Sequence, residues 1–194
     1  MKRENGAILS SDARRTFFFL FIPLLDFVNQ KYGISDVLSD QIRRAKPDLK
    51  ELKKAADALW KDPTIIDEYI IERKEKVGLG NEHRHILESW RYPINGVFVL
   101  ERHLSRGSVF IDTETKKVYQ VKGLTQSWEE MIPNLKPPFP IDATLLPYNE
   151  CIISDGLVAA HHISFGPDYR EEFKHIYDTA NYEGKVLTTL SSGR

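Results

Sequence analysis

The hydrophobic pattern of this chain changes its period once, near Gly96, and that change constrains the fold more than any other feature. Before it, apolar residues recur three and four positions apart, as on one face of a helix. After it, short runs rich in Val, Phe, Ile and Tyr are separated by turn residues, as in strands. Helices that precede all the strands cannot form alternating βαβ units, so the sequence predicts an α+β protein. We expect a helical portion, about residues 12–92, packed on a small antiparallel sheet within 96–190 as one compact unit.

Five segments of the first portion are predicted to be helical. They read "TFFFLFIPLLDFVNQKYG", "DVLSDQIRRA", "DLKELKKAADALW", "DPTIIDEYIIERKEKVGLG" and "EHRHILESWRY". The first should end near Gly33 and the fourth at Gly78 or Gly80, because glycine suits a helix C-terminus. Three polar residues are expected to cap helix starts, namely Ser35, Asp62 and Asn81. The third segment should bury one stripe of residues, Leu49, Leu52, Ala56 and Leu59.

The second portion is predicted to begin with a three-stranded meander. Its strands read "GVFVLERHL", "GSVFIDT" and "KKVYQVKG". A tight turn at Gly107 should join the first two, and a polar loop should join the second to the third. Ser127 and Glu130 have the spacing of a capping box, which predicts one or two helical turns before the extended "LKPPFP". A covering helix, "PDYREEFKHIYDTANYEG", should carry a second capping box at Asp168 and Glu171, and "KVLTTL" can add a last strand. These strands can close into an SH3-like barrel.

The stretch "ECIISDGLVAAHHI" predicts a hairpin centred on Asp155-Gly156. Asp-Gly is a preferred pair for a two-residue type I′ turn, and both flanking runs favour strands. In that register Cys151 faces Ala160, and Glu150 faces His161 across the ladder. Both faces of the hairpin are largely apolar, which predicts that it is buried inside a barrel or under a helix.

Three segments of the second half resemble an uncharacterised bacterial family. They are "VFVLERHLSRGSVFID", "VYQVKGLTQSWEEMI" and "LLPYNECIISDGLV", and the last is similar to a family motif that reads roughly "LLPF…IIYDGLL". The resemblance covers about the C-terminal half and implies an architecture without implying an activity. Some proteins of this kind carry a cysteine-rich zinc motif, which a chain with one cysteine cannot reproduce.

His161 is the residue with the strongest claim to chemistry. A carboxylate such as Glu150 that orients an imidazole is an arrangement used for acid–base catalysis and for binding, although most such pairs are structural. His103 and Glu101, which share a strand face, are weighed in the same way. Cys151 is interpreted as a buried small hydrophobe and not as a nucleophile, because its predicted neighbours are apolar.

Composition narrows the function classes. The formal net charge is −1, so the chain lacks the basic excess that nucleic acids attract. The most apolar run, "FFFLFIPLL", is shorter than the ~20 residues that cross a bilayer, so no membrane partner is expected. One cysteine cannot form an internal disulfide, which favours a cytoplasmic location. No cofactor and no metal are predicted, because the sequence has neither a Walker loop nor a dinucleotide fingerprint nor a metal-ligand spacing.

The leading hypothesis is a non-catalytic cytoplasmic protein-binding module, whose ligand is a protein partner or a second copy of the chain. It rests on the absence of a motif that gathers an acid, a base and a nucleophile. One alternative is a nucleic-acid-associated protein that uses the basic residues of the barrel, Arg102, Arg106, Lys116, Lys117 and Lys122. The other is a hydrolase that uses His161 and Glu150.

Overall fold

The computed structural model describes residues 6–77 and 79–191. They divide into two compact units. The helical unit is Ser11–Pro93, and the β unit is Ile94–Ser191 together with the described residues that precede Ser11. Helices come first and strands second, so the predicted α+β class is confirmed.

Five helices form the helical unit. They are α1 (Ser11–Tyr32), α2 (Leu38–Arg43), α3 (Leu49–Lys61), α4 (Ile65–Val77) and α5 (Asn81–Ser89). Each matches one predicted helical segment. Aromatic rings hold α1 to its neighbours: the ring centroids of Phe17 and Trp90 are 5.5 Å apart, and those of Phe21 and Trp60 are 6.1 Å apart. Such pairs add stability beyond the area that they bury.

The helix ends depart from the sequence prediction in several places. Ser35 does not cap α2, whose N-cap is Val37. The backbone N–H of Ser35 donates to Asn29 Oδ1 instead. Asn81 is the first residue of α5 rather than its cap. Gly78, one of the two predicted ends of α4, lies outside the described residues. Leu49 is 70% exposed, because the first residue of α3 lies before the stripe that packs inward.

The β unit contains six strands and two helices. In chain order they are β1 (Ile94–Leu104), β2 (Gly107–Asp112), β3 (Val118–Lys122), α6 (Trp128–Met131), β4 (Phe139–Tyr148), β5 (Cys151–Ser154), β6 (Ala159–Ala160) and α7 (Pro167–Tyr182). The predicted meander β1–β2–β3 is confirmed. The strand order is β1-β2-β3-β5-β4-β6, and β1 also pairs with β4, so the pairings return to the first strand. The β3–β5 pairing is parallel, so the sheet is mixed and not purely antiparallel as predicted.

The predicted hairpin at Asp155-Gly156 is wrong. Cys151 pairs with Tyr148 and not with Ala160, because β5 forms its hairpin with β4 through the turn at Asn149–Glu150. Asn149 has φ of 50°, a conformation that asparagine tolerates better than most residues. The Asp155 carboxylate, which is buried, accepts a bond from the N–H of Leu157. This local bond bends the chain without reversing it. β5 and β6 both run antiparallel to β4 and pair with the same edge of it, because β1 occupies the opposite edge.

Two buried clusters hold the β unit together. One lies on the face of the sheet turned away from α7 and includes Phe98, Phe110 and Trp128. The other lies on the outer face, where α7 places Phe173 and Tyr177 against β1, β2 and β3. The predicted covering helix is therefore present.

The predicted cap at the start of α6 is confirmed, whereas the one at the start of α7 is wrong. The capping box of Ser127 and Glu130 is formed at the start of α6. The one predicted at Asp168 and Glu171 is not, because Gly166 is the N-cap of α7 and has no side chain. Instead of a last strand, the C-terminal segment forms one isolated bridge between Leu187 and Tyr119.

Candidate functional site

His161 is paired with a carboxylate, but not with the predicted one. Its Nε2 lies 3.0 Å from Asp142 Oδ2, because β6 runs antiparallel to β4 and the backbone N–H of His161 continues that pairing to Pro140. Glu150 lies in the β4–β5 turn. Both side chains of the Asp142–His161 pair are roughly half exposed. The pair can orient an imidazole at the surface, and the hydrolase hypothesis for His161 with Glu150 stays a prediction.

Cys151 lies at the start of β5, and its side chain is half-buried. Its thiol donates to the carbonyl oxygen of Tyr148 over 3.2 Å. Burial raises the pKa of the Cys151 thiol, and the charge of Lys122 opposes that effect in part. A thiol with a raised pKa is a poor nucleophile at neutral pH, as the interpretation of Cys151 as a small hydrophobe requires.

His103 faces a serine that the sequence analysis missed. The register pairs His103 with Ser108, and His103 Nδ1 lies 2.8 Å from Ser108 Oγ. The signal was present, since a two-residue turn before Gly107 places these residues opposite each other. Glu101, the predicted partner, does not join them. A bulge between Leu100 and Arg102 disturbs the alternation of side chains at Glu101.

His103 and Ser108 line a polar cleft, which we call the β1–β2 cleft. Its volume is about 290 Å³, and it is lined by Ala7, His103, Leu104, Ser105, Ser108, Ser127 and Glu129. Burial lowers the pKa of His103, and the negative charge of Glu129 opposes that effect. The imidazole is therefore neutral at pH 7 and its Nδ1 can accept the hydroxyl proton of Ser108 in a hydrogen bond.

A second cleft, the α7 cleft, lies between the β2–β3 connection and the second half of α7. Its volume is about 370 Å³, and it is lined by Thr115, Lys116, Lys117, Val118, His175, Ile176, Thr179, Ala180, Glu183 and Lys185. Val118, Ile176 and Ala180 belong to the outer hydrophobic cluster and form an apolar floor. Three lysines against one glutamate give the rim a positive charge.

Ion pairs on this rim leave it cationic. Lys185 Nζ lies 2.7 Å from Glu183, whereas Lys116 Nζ lies 3.9 Å from Glu172. Each of these residues is well exposed, so the pairs are weak and break at little cost. With Glu172 included, three lysines face two glutamates, so the α7 cleft combines an apolar floor with a rim of net positive charge.

The basic residues of the nucleic-acid hypothesis do not share one surface. Arg106 lies in the β1–β2 turn and Lys122 at the end of β3, which are at the same end of the sheet. Lys116 and Lys117 lie at the other end of β2, six residues or about 20 Å away. A backbone of phosphates would therefore meet two separate pairs of charges.

Arg102, the fifth basic residue, is already engaged. Its guanidinium binds the Glu101 carboxylate, lies 3.6 Å from Asp178, and lies 4.0 Å from the ring centroid of Tyr177. The bond to Glu101 raises the pKa of Arg102. A phosphate would have to replace these contacts, so Arg102 is poorly suited to bind one.

Comparisons with known proteins give no lead: no family model, no curated protein and no solved structure matches this chain. Among the described residues, no group of three histidine, cysteine, aspartate or glutamate side chains is placed to hold a metal ion. Within the same residues, no helix is both long enough and apolar enough to cross a bilayer.

Proposed function

We propose that the protein is a protein-binding module whose binding site, the α7 cleft, is non-catalytic and takes an acidic segment of a partner protein. One observation carries this proposal: an apolar floor of Val118, Ile176 and Ala180 lies within a rim of three lysines. An apolar anchor residue in such a floor supplies affinity, and carboxylates beside it complement the rim. A short extended segment with Leu, Ile or Val between Asp or Glu residues fits both.

The fold supports a scaffold role. The pairings that return from β4 to β1 support the prediction of an SH3-like barrel, and α7 is the element that turns one face of that sheet into a cleft. The single cysteine, which is not in a disulfide, supports a cytoplasmic location. The resemblance to the bacterial family supports a bacterial origin.

A selection from random peptides tests the proposal and does not require that the partner be identified first. Random 12-residue peptides displayed on phage are selected on the full chain at about 0.15 M salt, where charges more than about 8 Å apart are screened. We expect enriched peptides to contain acidic residues around an aliphatic one. The same peptides, labelled with fluorescein, should lose at least tenfold in affinity when Lys116→Glu and Lys117→Glu are combined.

The matched control reverses two other lysines of the same unit. Lys136→Glu combined with Lys174→Glu changes the net charge equally but leaves the α7 cleft intact, since neither side chain lines it. This control should keep the affinity within twofold. A selected pool without acidic enrichment, or equal losses in both double variants, would overturn the proposal.

Two further measurements separate the remaining alternatives. A single-stranded oligonucleotide that competes with the selected peptides at the same salt would favour the nucleic-acid hypothesis instead. A dimer in solution that is abolished by Lys116→Glu with Lys117→Glu would make a second copy of the chain the occupant, and would count against a separate partner.

A further inference from the structure

The β1–β2 cleft, which the proposed binding function does not use, holds a serine and a histidine in the geometry of a nucleophile and its base. His103 Nδ1 and Ser108 Oγ are 2.8 Å apart, within the reach that proton transfer requires. We propose that this cleft is a second, hydrolytic site for small uncharged acyl esters, with Ser108 as nucleophile and His103 as general base.

The surroundings of His103 suit a base. Only a neutral imidazole can accept the Ser108 proton at Nδ1, and burial lowers the pKa of His103, which keeps the ring neutral near pH 7. Both residues are held by the backbone, because they face each other across the β1–β2 ladder directly beside the turn. A dyad on two paired strands needs little reorganisation before reaction.

The reaction balances with water as the second substrate. Ser108 Oγ bonds to the acyl carbon while its proton passes to His103 Nδ1; the ester C–O bond then breaks, and the leaving alcohol takes that proton. Water next adds to the acyl carbon and gives a proton to Nδ1. The bond from the acyl carbon to Oγ breaks, Oγ recovers the proton, and a carboxylic acid is released.

The cleft also restricts the substrate. Its volume of about 290 Å³ is at the lower limit of small-molecule sites, so it suits short acyl groups. Glu129 lines it and carries a negative charge, which disfavours anionic esters. We therefore expect acetyl and propionyl esters of neutral alcohols to react, and esters that carry a phosphate or a carboxylate to react at least tenfold more slowly.

A covalent probe on the intact wild-type chain decides the matter. After incubation with a fluorophosphonate, peptide mapping by mass spectrometry should find the phosphonyl group on Ser108. Turnover of p-nitrophenyl acetate should rise with pH through the pKa of His103 and then level off. His103→Gln should slow both labelling and turnover by about 10²–10⁴-fold, the usual contribution of a general base.

Two control variants guard against misreading. His162→Ala removes an exposed imidazole outside the cleft and should leave the rates within twofold, and Ser164→Ala does the same for an exposed serine. Melting curves show whether each variant folds. The proposal fails if wild-type Ser108 stays unlabelled, or if labelling is as fast in folded His103→Gln. Since the α7 cleft is not involved, this failure would leave the binding proposal unaffected.

Discussion

Gly123 follows β3 at a point where no other residue fits, and we expect Gly123→Ala to destabilise the β unit strongly. A Cβ atom at this position would lie 2.0 Å from the carbonyl oxygen of Gln126, whereas real Cβ contacts stay beyond 3.0 Å. The backbone must therefore move by about 1 Å or more. It cannot do so freely, because Gly123 donates to the carbonyl oxygen of Ala7 and accepts a bond from the N–H of Leu9.

The expected cost follows from these distances. Forcing extra atoms into a packed site costs about 1–3 kcal/mol, and a clash with backbone belongs at the upper end. We therefore predict a loss of about 3 kcal/mol, which is a large part of the ~5–15 kcal/mol that stabilises a typical domain. The matched control is Gly96→Ala in β1, where a Cβ would meet only the Phe98 ring at 3.8 Å. That variant should change stability by less than about 1 kcal/mol.

The assay must report on the β unit alone, because two units need not unfold together. Among the three tryptophans, Trp128 lies in the β unit, and Trp60 and Trp90 lie in the helical unit. In chain labelled with 5-fluorotryptophan, the fluorine resonance of Trp128 therefore follows β-unit unfolding in urea. With a slope of about 1–3 kcal/mol/M, the predicted loss lowers the midpoint by about 1–3 M. Equal midpoints for the two alanine variants would refute the reasoning.

Two more predictions concern titratable groups. Because burial lowers the pKa of His103, the unfolded chain takes up a proton at this site before the folded chain does as the pH falls. The free energy of unfolding should decrease as the pH is lowered through 6.5, and this pH dependence should be weaker in His103→Gln. Urea titrations of both proteins between about pH 5 and 8 measure it, and an equal pH dependence in the two would contradict the prediction. Since burial raises the pKa of Cys151, iodoacetamide should label the native thiol at least tenfold more slowly than the urea-unfolded one, and equal rates would count against it.

The parts of the fold that could be predicted from the sequence depend on local signals. The five helices of the first unit follow from apolar periodicity, and the α6 capping box follows from the spacing of Ser127 and Glu130. Individual caps were less predictable. At α2, the backbone N–H of Ser35 donates to Asn29, six residues earlier, and no local sequence pattern predicts this hydrogen bond.

The candidate sites show the same limit at longer range. His161 was expected beside a carboxylate and has one, but Asp142 lies 19 residues earlier in the chain, on a strand whose partner depends on the whole sheet. His103 was expected to share a strand face with Glu101, but a bulge disturbs that alternation at Glu101, and the turn before Gly107 places Ser108 opposite His103. Side-chain chemistry could be read from the sequence, whereas the pairing of those side chains depends on strand register.

Two glycine turns show why the register was predictable in one place and not in the other. Gly107 has φ of 138°, and a Cβ there would lie 2.6 Å from the carbonyl oxygen of Val121. This position therefore requires glycine, and the turn before it sets the register of β1 against β2. Asp155-Gly156 carries an equally strong local signal, yet Ile152 and Ile153 before it are buried on both faces. A strand of that kind is most stable between two neighbours, and β3 and β4 supply them. The chain therefore keeps its direction through Asp155-Gly156, since β5 and β6 both run antiparallel to β4, and burial rather than the turn motif decides the strand partner.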